Sequence, residues 1–387
     1  MKTLVYLFIL GYIGLLGADD SNETVSSRLE DGYGNSEMLS DSMPYLPKTK
    51  KGESVQFLGD LRLRSQTINR SSEEDFEHIF RFRARFGLNA KLTDDLKLEL
   101  MLASGSGDPV STNQSLGGAW VGKNVIIDIA DIYYNYDYHS FIRGGKMKLP
   151  IYRTHKNQLI FDGDLRPEGA FVKHKLLENS DVTLGAFVLA NLDETEDAES
   201  IYFYTAQFIQ HIEDFRFTLG YHYYDSLKGR KPTILYNTGT IKGVSKGNTL
   251  DADEKYAYDY HIAELALQYD FENFSIGFDT AYNTAISEEN FGYNLSLFYG
   301  KLKHNGDFKL GYFYRDIQKD AVVGALNDSD FMGGGTDGYG HQLMGGYQLA
   351  KNTQLALTYI DTIVNQKEED ENFRRLHLDI KFVFKSE

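Results

Sequence analysis

The chain contains no cysteine. Disulfides, thiolate metal sites, cysteine nucleophiles and the lipid-modified cysteine of lipoproteins are therefore excluded. Long hydrophobic runs are nearly absent as well. Beyond Ala18 none approaches the roughly 20 apolar residues that a membrane-crossing helix needs, which excludes a helical membrane bundle. Positive charge is the minority sign. With 40 Lys and Arg against 56 Asp and Glu, a formal net charge of −16 and no long basic tract, phosphate attraction is not available and no nucleic-acid partner is expected. Chemical signatures are missing in the same way. The 10 His are scattered singly, with no metal-ligand spacing, and there is no Gly-x-Ser-x-Gly elbow. The run Gly333 to Gly335 lacks the Lys and Ser or Thr of a phosphate-binding loop and reads as loop flexibility. No enzyme, catalytic residue, metal or cofactor is expected.

What is present is aromatic and alternating. The 27 Tyr, 25 Phe and 36 Gly are evenly spread, and the Leu-, Ala- and Glu-rich composition of helical proteins is missing, which points to an all-β fold. Met1 and Lys2 lead into an apolar run from Leu4 to Leu16, then Gly17 and Ala18, the pattern of a signal peptide spanning residues 1–18. Residues 19–53 are polar and aperiodic, a flexible lead-in. From Ser54 the period is two: Val55, Phe57, Gly59, Leu61 and Leu63 share one face, opposite Gln56, Leu58, Asp60, Arg62 and Arg64. The next segment sets Phe80, Phe82, Ala84, Phe86 and Leu88 against Arg81, Arg83, Arg85 and Asn89. About sixteen such segments recur to the end of the chain, each about ten to twelve residues long, which suits a tilted membrane-crossing strand better than a sandwich strand.

Connection lengths alternate. Short turns, such as Tyr138 to Ser140 and Glu178 to Ser180, are interleaved with long acidic or Gly-rich loops, such as Ser104 to Lys123, Lys148 to Glu168, Asp225 to Glu254 and Asp316 to Gly338. Short turns on one rim and long loops on the other are expected of a transmembrane antiparallel β-barrel of the outer-membrane type, here residues 54–387. On this reading the apolar residues face lipid and form no core, and the tyrosine groups at 133–136, 221–224 and 256–260 mark interfacial girdles.

The motifs GDLRLR (Gly59 to Arg64), FRFRARFG (Phe80 to Gly87), ASGS with PVSTNQSL (Ala103 to Leu116), GKM (Gly145 to Met147) and DGDLRPEG (Asp162 to Gly169) resemble the putative porin family of campylobacterial and other proteobacterial outer membranes. The resemblance implies a single barrel of sixteen strands in the bacterial outer membrane, passing small hydrophilic solutes and ions by diffusion, as a homotrimer. It does not fix the solute.

A wet channel needs a polar wall, and opposed charges at its narrowest point give selectivity. Arg62, Arg64, Arg81, Arg83 and Arg85 lie on the non-lipid face of the first two strands. Turned to lipid at mid-membrane, each would cost roughly 2 to 4 kcal/mol, so the inward register is expected for all of them. By analogy with general porins, the Lys148 to Glu168 loop is the candidate constriction, presenting Asp162, Asp164 and Glu168 to the arginines. The Ser104 to Lys123 loop, with Thr112, Asn113 and Trp120, is the alternative. Arg143 and Lys146 have opposite parity, so only one of them is lumenal. The acidic runs at Asp193 to Glu199, at Asp251, Asp253 and Glu254, and at Glu368 to Glu371 are solvated, with the option of holding divalent cations that bridge lipopolysaccharide phosphates. Expected partners are outer-membrane lipid, lipopolysaccharide and small hydrophilic solutes. A solute-selective channel and a surface structural or adhesive barrel are the other two readings.

Overall fold

The computed structural model describes residues 55–190, 200–235, 245–366 and 370–386. The expected signal peptide, the lead-in, the run Asp193 to Glu199 and Glu368 with Glu369 lie outside the described residues.

Among the described residues, seventeen strands form one antiparallel sheet. In chain order they are β1 Val55–Arg70, β2 Glu77–Lys91, β3 Leu96–Ser104, β4 Gln114–Ser115, β5 Val125–Asp137, β6 Ser140–Lys146, β7 Glu168–Leu177, β8 Ser180–Ala190 and β9 Ile201–Ile212. The second half comprises β10 Phe215–Tyr224, β11 His261–Phe271, β12 Phe274–Asn283, β13 Phe291–Gly300, β14 Phe308–Ile317, β15 Gly338–Ala350, β16 Thr353–Val364 and β17 Glu371–Lys385. β4 is a two-residue segment of the 105–124 loop that pairs with Arg81 and Phe82. The other sixteen form the wall, each beside its sequence neighbour. β1 closes the sheet by pairing with both β2 and β17. Closure satisfies the backbone polar groups that lipid cannot satisfy and leaves no sheet edge.

Strand parity decides what faces where. Along β1, Phe57, Leu61 and Leu63 are exposed on the outer surface, whereas Gln56, Asp60, Arg62, Arg64 and Gln66 are buried inside. β2 repeats this with Phe80 and Phe86 outside and Arg83 and Arg85 inside. The turns at 138–139, 178–179, 213–214, 272–273 and 351–352 lie on one rim, and the loops at 105–124, 147–167, 225–260 and 318–337 lie on the other.

Not all apolar residues face lipid. A buried cluster inside the barrel joins the loop residues Ile151, Leu159, Phe161, Val322, Leu326 and Phe331 to inward strand residues such as Phe187, Phe203, Ile262 and Phe373. The expectation of a coreless barrel is corrected here. The loops fold back into the lumen and carry their own core, because aperiodic apolar residues in a loop have no lipid face to occupy. The girdle reading is corrected for the same reason. Tyr134, Tyr136 and Tyr221 are exposed outside, but Tyr133, Tyr224, Tyr256 and Tyr260 are buried within.

The glycine run at 333–335 is likewise a packing device. Gly335 has φ +107°, and a Cβ there would sit 2.2 Å from the carbonyl oxygen of Lys246. The close approach of the two loops, closed by Thr336 N donating to Lys246 O at 2.9 Å, requires the missing side chain.

Candidate functional site

Pairing of β1 with β2 sets Arg62 opposite Arg83, Arg64 opposite Arg81 and Asp60 opposite Arg85. The five sequence-selected arginines therefore share one inner wall. Arg83 and Arg85 both donate to Asp60, at 2.9 and 2.7 Å. Arg64 makes two bonds of 2.8 Å to Asp379 of β17, which closure of the barrel places directly opposite. Arg62 donates to Asn113 Oδ1 at 2.6 Å, so the 105–124 loop also reaches this wall. Arg81 has no carboxylate within ion-pair reach among the described residues. The basic ladder is thus largely charge-matched, as buried guanidiniums must be, since an unpaired buried charge costs several kcal/mol.

The 147–167 loop leaves β6 and crosses the lumen to the far side. Tyr152 N donates to Gln207 of β9 at 2.8 Å, and its hydroxyl engages Arg216 and Gln268. His155 is bonded to Ser275 of β12 at 2.5 Å and to Ser296 of β13 at 2.7 Å. Burial pushes the His155 imidazole down to about 3, so it is a neutral partner near neutral pH.

The carboxylates expected at the tip of this loop are placed differently from one another. Asp162 is buried, accepting Ser329 N at 2.9 Å and Asp164 N at 2.7 Å. Burial, with Asp164 and Asp328 close by, raises it well above the usual carboxylate range. Asp164 is also buried and accepts Thr112 N at 3.3 Å. Both carboxyls fasten loops to one another. Glu168 does not enter the lumen. It opens β7 on the outward parity shared by Ala170 and Val172, 63% exposed, and pairs with Lys146 at 2.7 Å. Arg143 is the lumenal member of the Arg143 and Lys146 pair, bonded to Glu99 and to Asp131.

The acid that meets the basic wall comes from a loop that sequence reading passed over. The 318–337 loop brings Asp330 to Arg375 at 2.6 Å and to Arg64 at 3.5 Å, and Asp328 to Arg315 at 2.8 Å. Burial alone would raise Asp330, but His377, Arg375 and Arg64 outweigh it and hold it well below the usual range. Trp120 is 99% exposed and takes no part. The carboxylate of Asp251 caps its own turn through the N–H groups of Asp253 and Lys255. Asp60 and Asp379 could have been found from parity, since each alternates with apolar residues on its strand. Asp328 and Asp330 sit in an aperiodic loop and carry no such signal.

Comparison with known proteins agrees with this architecture. The family model described as a putative porin matches residues 62–252 and 245–367. Among solved structures, OprB of Pseudomonas putida, determined at high pH, is 13% identical with a TM-score of 0.57, covering 86% of this chain and 94% of that one. OmpF of Salmonella typhi in complex with daunomycin is 10% identical with a TM-score of 0.56, covering 85% and 97%. These likenesses are of fold. No curated protein matches the sequence. Family and fold mark a channel rather than an enzyme. With a closed sixteen-strand wall, a polar interior and a family match over most of its length, the chain belongs to the putative porin family and is a porin of the bacterial outer membrane.

Proposed function

We propose that small hydrophilic solutes and ions diffuse passively between the basic wall of β1, β2 and β17 and the tips of the 147–167 and 318–337 loops, with no catalytic step. The observation that carries this is the crossing of the lumen by the 147–167 loop, fixed through His155 to Ser275 and Ser296 on the far wall. Arg62, Arg64, Arg81, Arg83 and Arg85 supply one side of a transverse field, and Asp330 supplies the other. Asp162 and Asp164 hold the loops in place, and Glu168 has no part in the filter. On the outside the barrel meets lipid and lipopolysaccharide, and the family resemblance supports assembly as a homotrimer.

Reconstitution of folded, heat-modifiable protein in planar bilayers tests this. Ohmic channels are expected, and Arg81→Glu should move the reversal potential towards cation selectivity. Absence of any ohmic current would overturn the reading, and an unchanged reversal potential would remove Arg81 from the filter.

A further inference from the structure

The short-turn rim, periplasmic in barrels of this type, closes seven hairpins among the described residues, and strand parity identifies the inward pair nearest each turn. Five cations stand at these positions. Lys91 faces Lys97 across β2 and β3, Lys175 lies on β7, Arg216 on β10 and Lys309 on β14. Two carboxylates accompany them, Asp181 on β8 and Asp270 on β11. With His counted as neutral the balance of this ring is +3, in a chain whose formal net charge is −16.

Both carboxylates of the ring are engaged. Asp181 pairs at 3.3 Å with Lys173, a further inward cation of β7, and Asp270 accepts from Gln268 at 2.9 and 3.0 Å and from Ser275. The cations are less committed. Lys97 and Lys175 have no carboxylate within ion-pair reach among the described residues, and the Lys97 ammonium lies over the Tyr133 ring at 5.6 Å. Lys91 pairs with Asp94 of the turn. Arg216 donates to the Tyr152 hydroxyl at 2.5 Å, a neutral acceptor on the crossing loop, and the Lys309 ammonium lies over the Phe298 ring at 4.7 Å. Carboxylates of the turns themselves, such as Glu213 and Glu272, are exposed to bulk water, where salt screens them.

We propose that this ring is a second charge filter, in series with the basic wall, and that it concentrates small anionic solutes at the periplasmic end of the channel. Charges of one sign on the low-dielectric wall of a confined aqueous space focus their field and raise the local concentration of counter-ions. Rings of Lys or Arg select anions in this way. A solute carboxylate or phosphate that meets Lys97 or Lys175 displaces no carboxylate of the protein, whereas at the basic wall Arg64 already holds Asp379 and Arg83 and Arg85 hold Asp60. Breaking such a buried pair is costly, so the ring is where an anion is met at least expense. The filter rests on the channel reading given above.

The test uses the full protein in planar bilayers under a gradient of dilute KCl, with the reversal potential giving the chloride to potassium permeability ratio. The unaltered protein is expected to prefer chloride. The double variant Lys97→Gln, Lys175→Gln should lower the ratio by about twofold or more, the screened Coulomb effect of two unit charges on a nearby ion. Because the chain has no cysteine, Lys97→Cys adds a measurement made after folding. A thiosulfonate reagent bearing a sulfonate should lower the ratio further, and one bearing a quaternary ammonium should restore it. A potassium preference in the unaltered protein, an unchanged ratio in the double variant, equal effects of the two reagents, or a thiol at position 97 that neither reagent reaches would each overturn the ring while leaving the channel intact. Absence of any current would remove the channel reading and the ring with it.

Discussion

Two of the loops that enter the lumen reach the far wall by different chemistry. The 147–167 loop is tied across the lumen by neutral hydrogen bonds, with His155 on Ser275 and Ser296 and the Tyr152 backbone on Gln207, and near its end by the buried ion pair of Arg166 with Asp128 at 2.9 Å. The 318–337 loop is tied down by ions, with Asp328 on Arg315 and Asp330 on Arg375 and Arg64. On the proposed function the first narrows the passage. The second pairs with cations of the basic wall, and on the proposed function it thereby also sets the field that a solute meets.

Four changes would break or sharpen this contrast. The largest effect is expected for Asp60→Ala, which strips the carboxylate from Arg83 and Arg85, at 0% and 2% exposure. Removing one partner of a buried ion pair costs about 3 to 5 kcal/mol, read as a lower denaturant midpoint of the folded barrel. A loss below about 1 kcal/mol would mean that water already solvates this wall. Next is Asp330→Asn. It should free Arg375 of its carboxylate while leaving Arg64 on Asp379, move the reversal potential towards anions and cost about 1.5 to 3 kcal/mol, the value of a charge-assisted hydrogen bond. An unchanged reversal potential would show that the 318–337 loop does not set the field.

His155→Ala comes third. It removes two neutral bonds, worth about 1 kcal/mol each, and should raise current noise while leaving the reversal potential where it was. A shifted reversal potential would erase the distinction between the two loops. The smallest effect is that of pH. His155 is lowered to about 3, so the undocked loop binds a proton more readily than the docked one, and docking weakens as pH falls below the ordinary histidine value of about 6.5. Asp330 is depressed, so its contribution is complete above the ordinary carboxylate value of about 3.9 and is lost only as pH falls through its lower folded value. Between these two limits current noise should rise on acidification while the reversal potential holds. Noise that stays flat would contradict the assignment of His155 as an anchor.

How much of this could be read in the sequence follows from periodicity. Arg62, Arg64, Arg81, Arg83 and Arg85 were legible as inward residues because the apolar positions between them must face lipid, and a strand has only two sides. Their partners were legible only in part. Asp60 stands on the same face of the same strand, but Arg64 meets Asp379 more than three hundred residues away, and nothing local announces which strands close the barrel. Asp162 and Asp164 were sound as members of the inserted loop and misleading as exposed charges, because burial and mutual bonding are properties of the packed loops. Glu168 failed for a simpler reason. It is the first residue of a strand, and parity turned it outward.

The absence of cysteine and of long apolar runs left a chain that could cross a membrane only as strands. Alternation then fixed the barrel, the short and long rims, and the basic character of the first two strands, because period two and the cost of charge in lipid act on each strand separately. The tertiary structure alone decided which carboxylates neutralise that wall, which loops fill the lumen, and where uncommitted polar groups remain. Those outcomes depend on contacts between segments far apart in sequence, and a loop without a period carries no record of its partners.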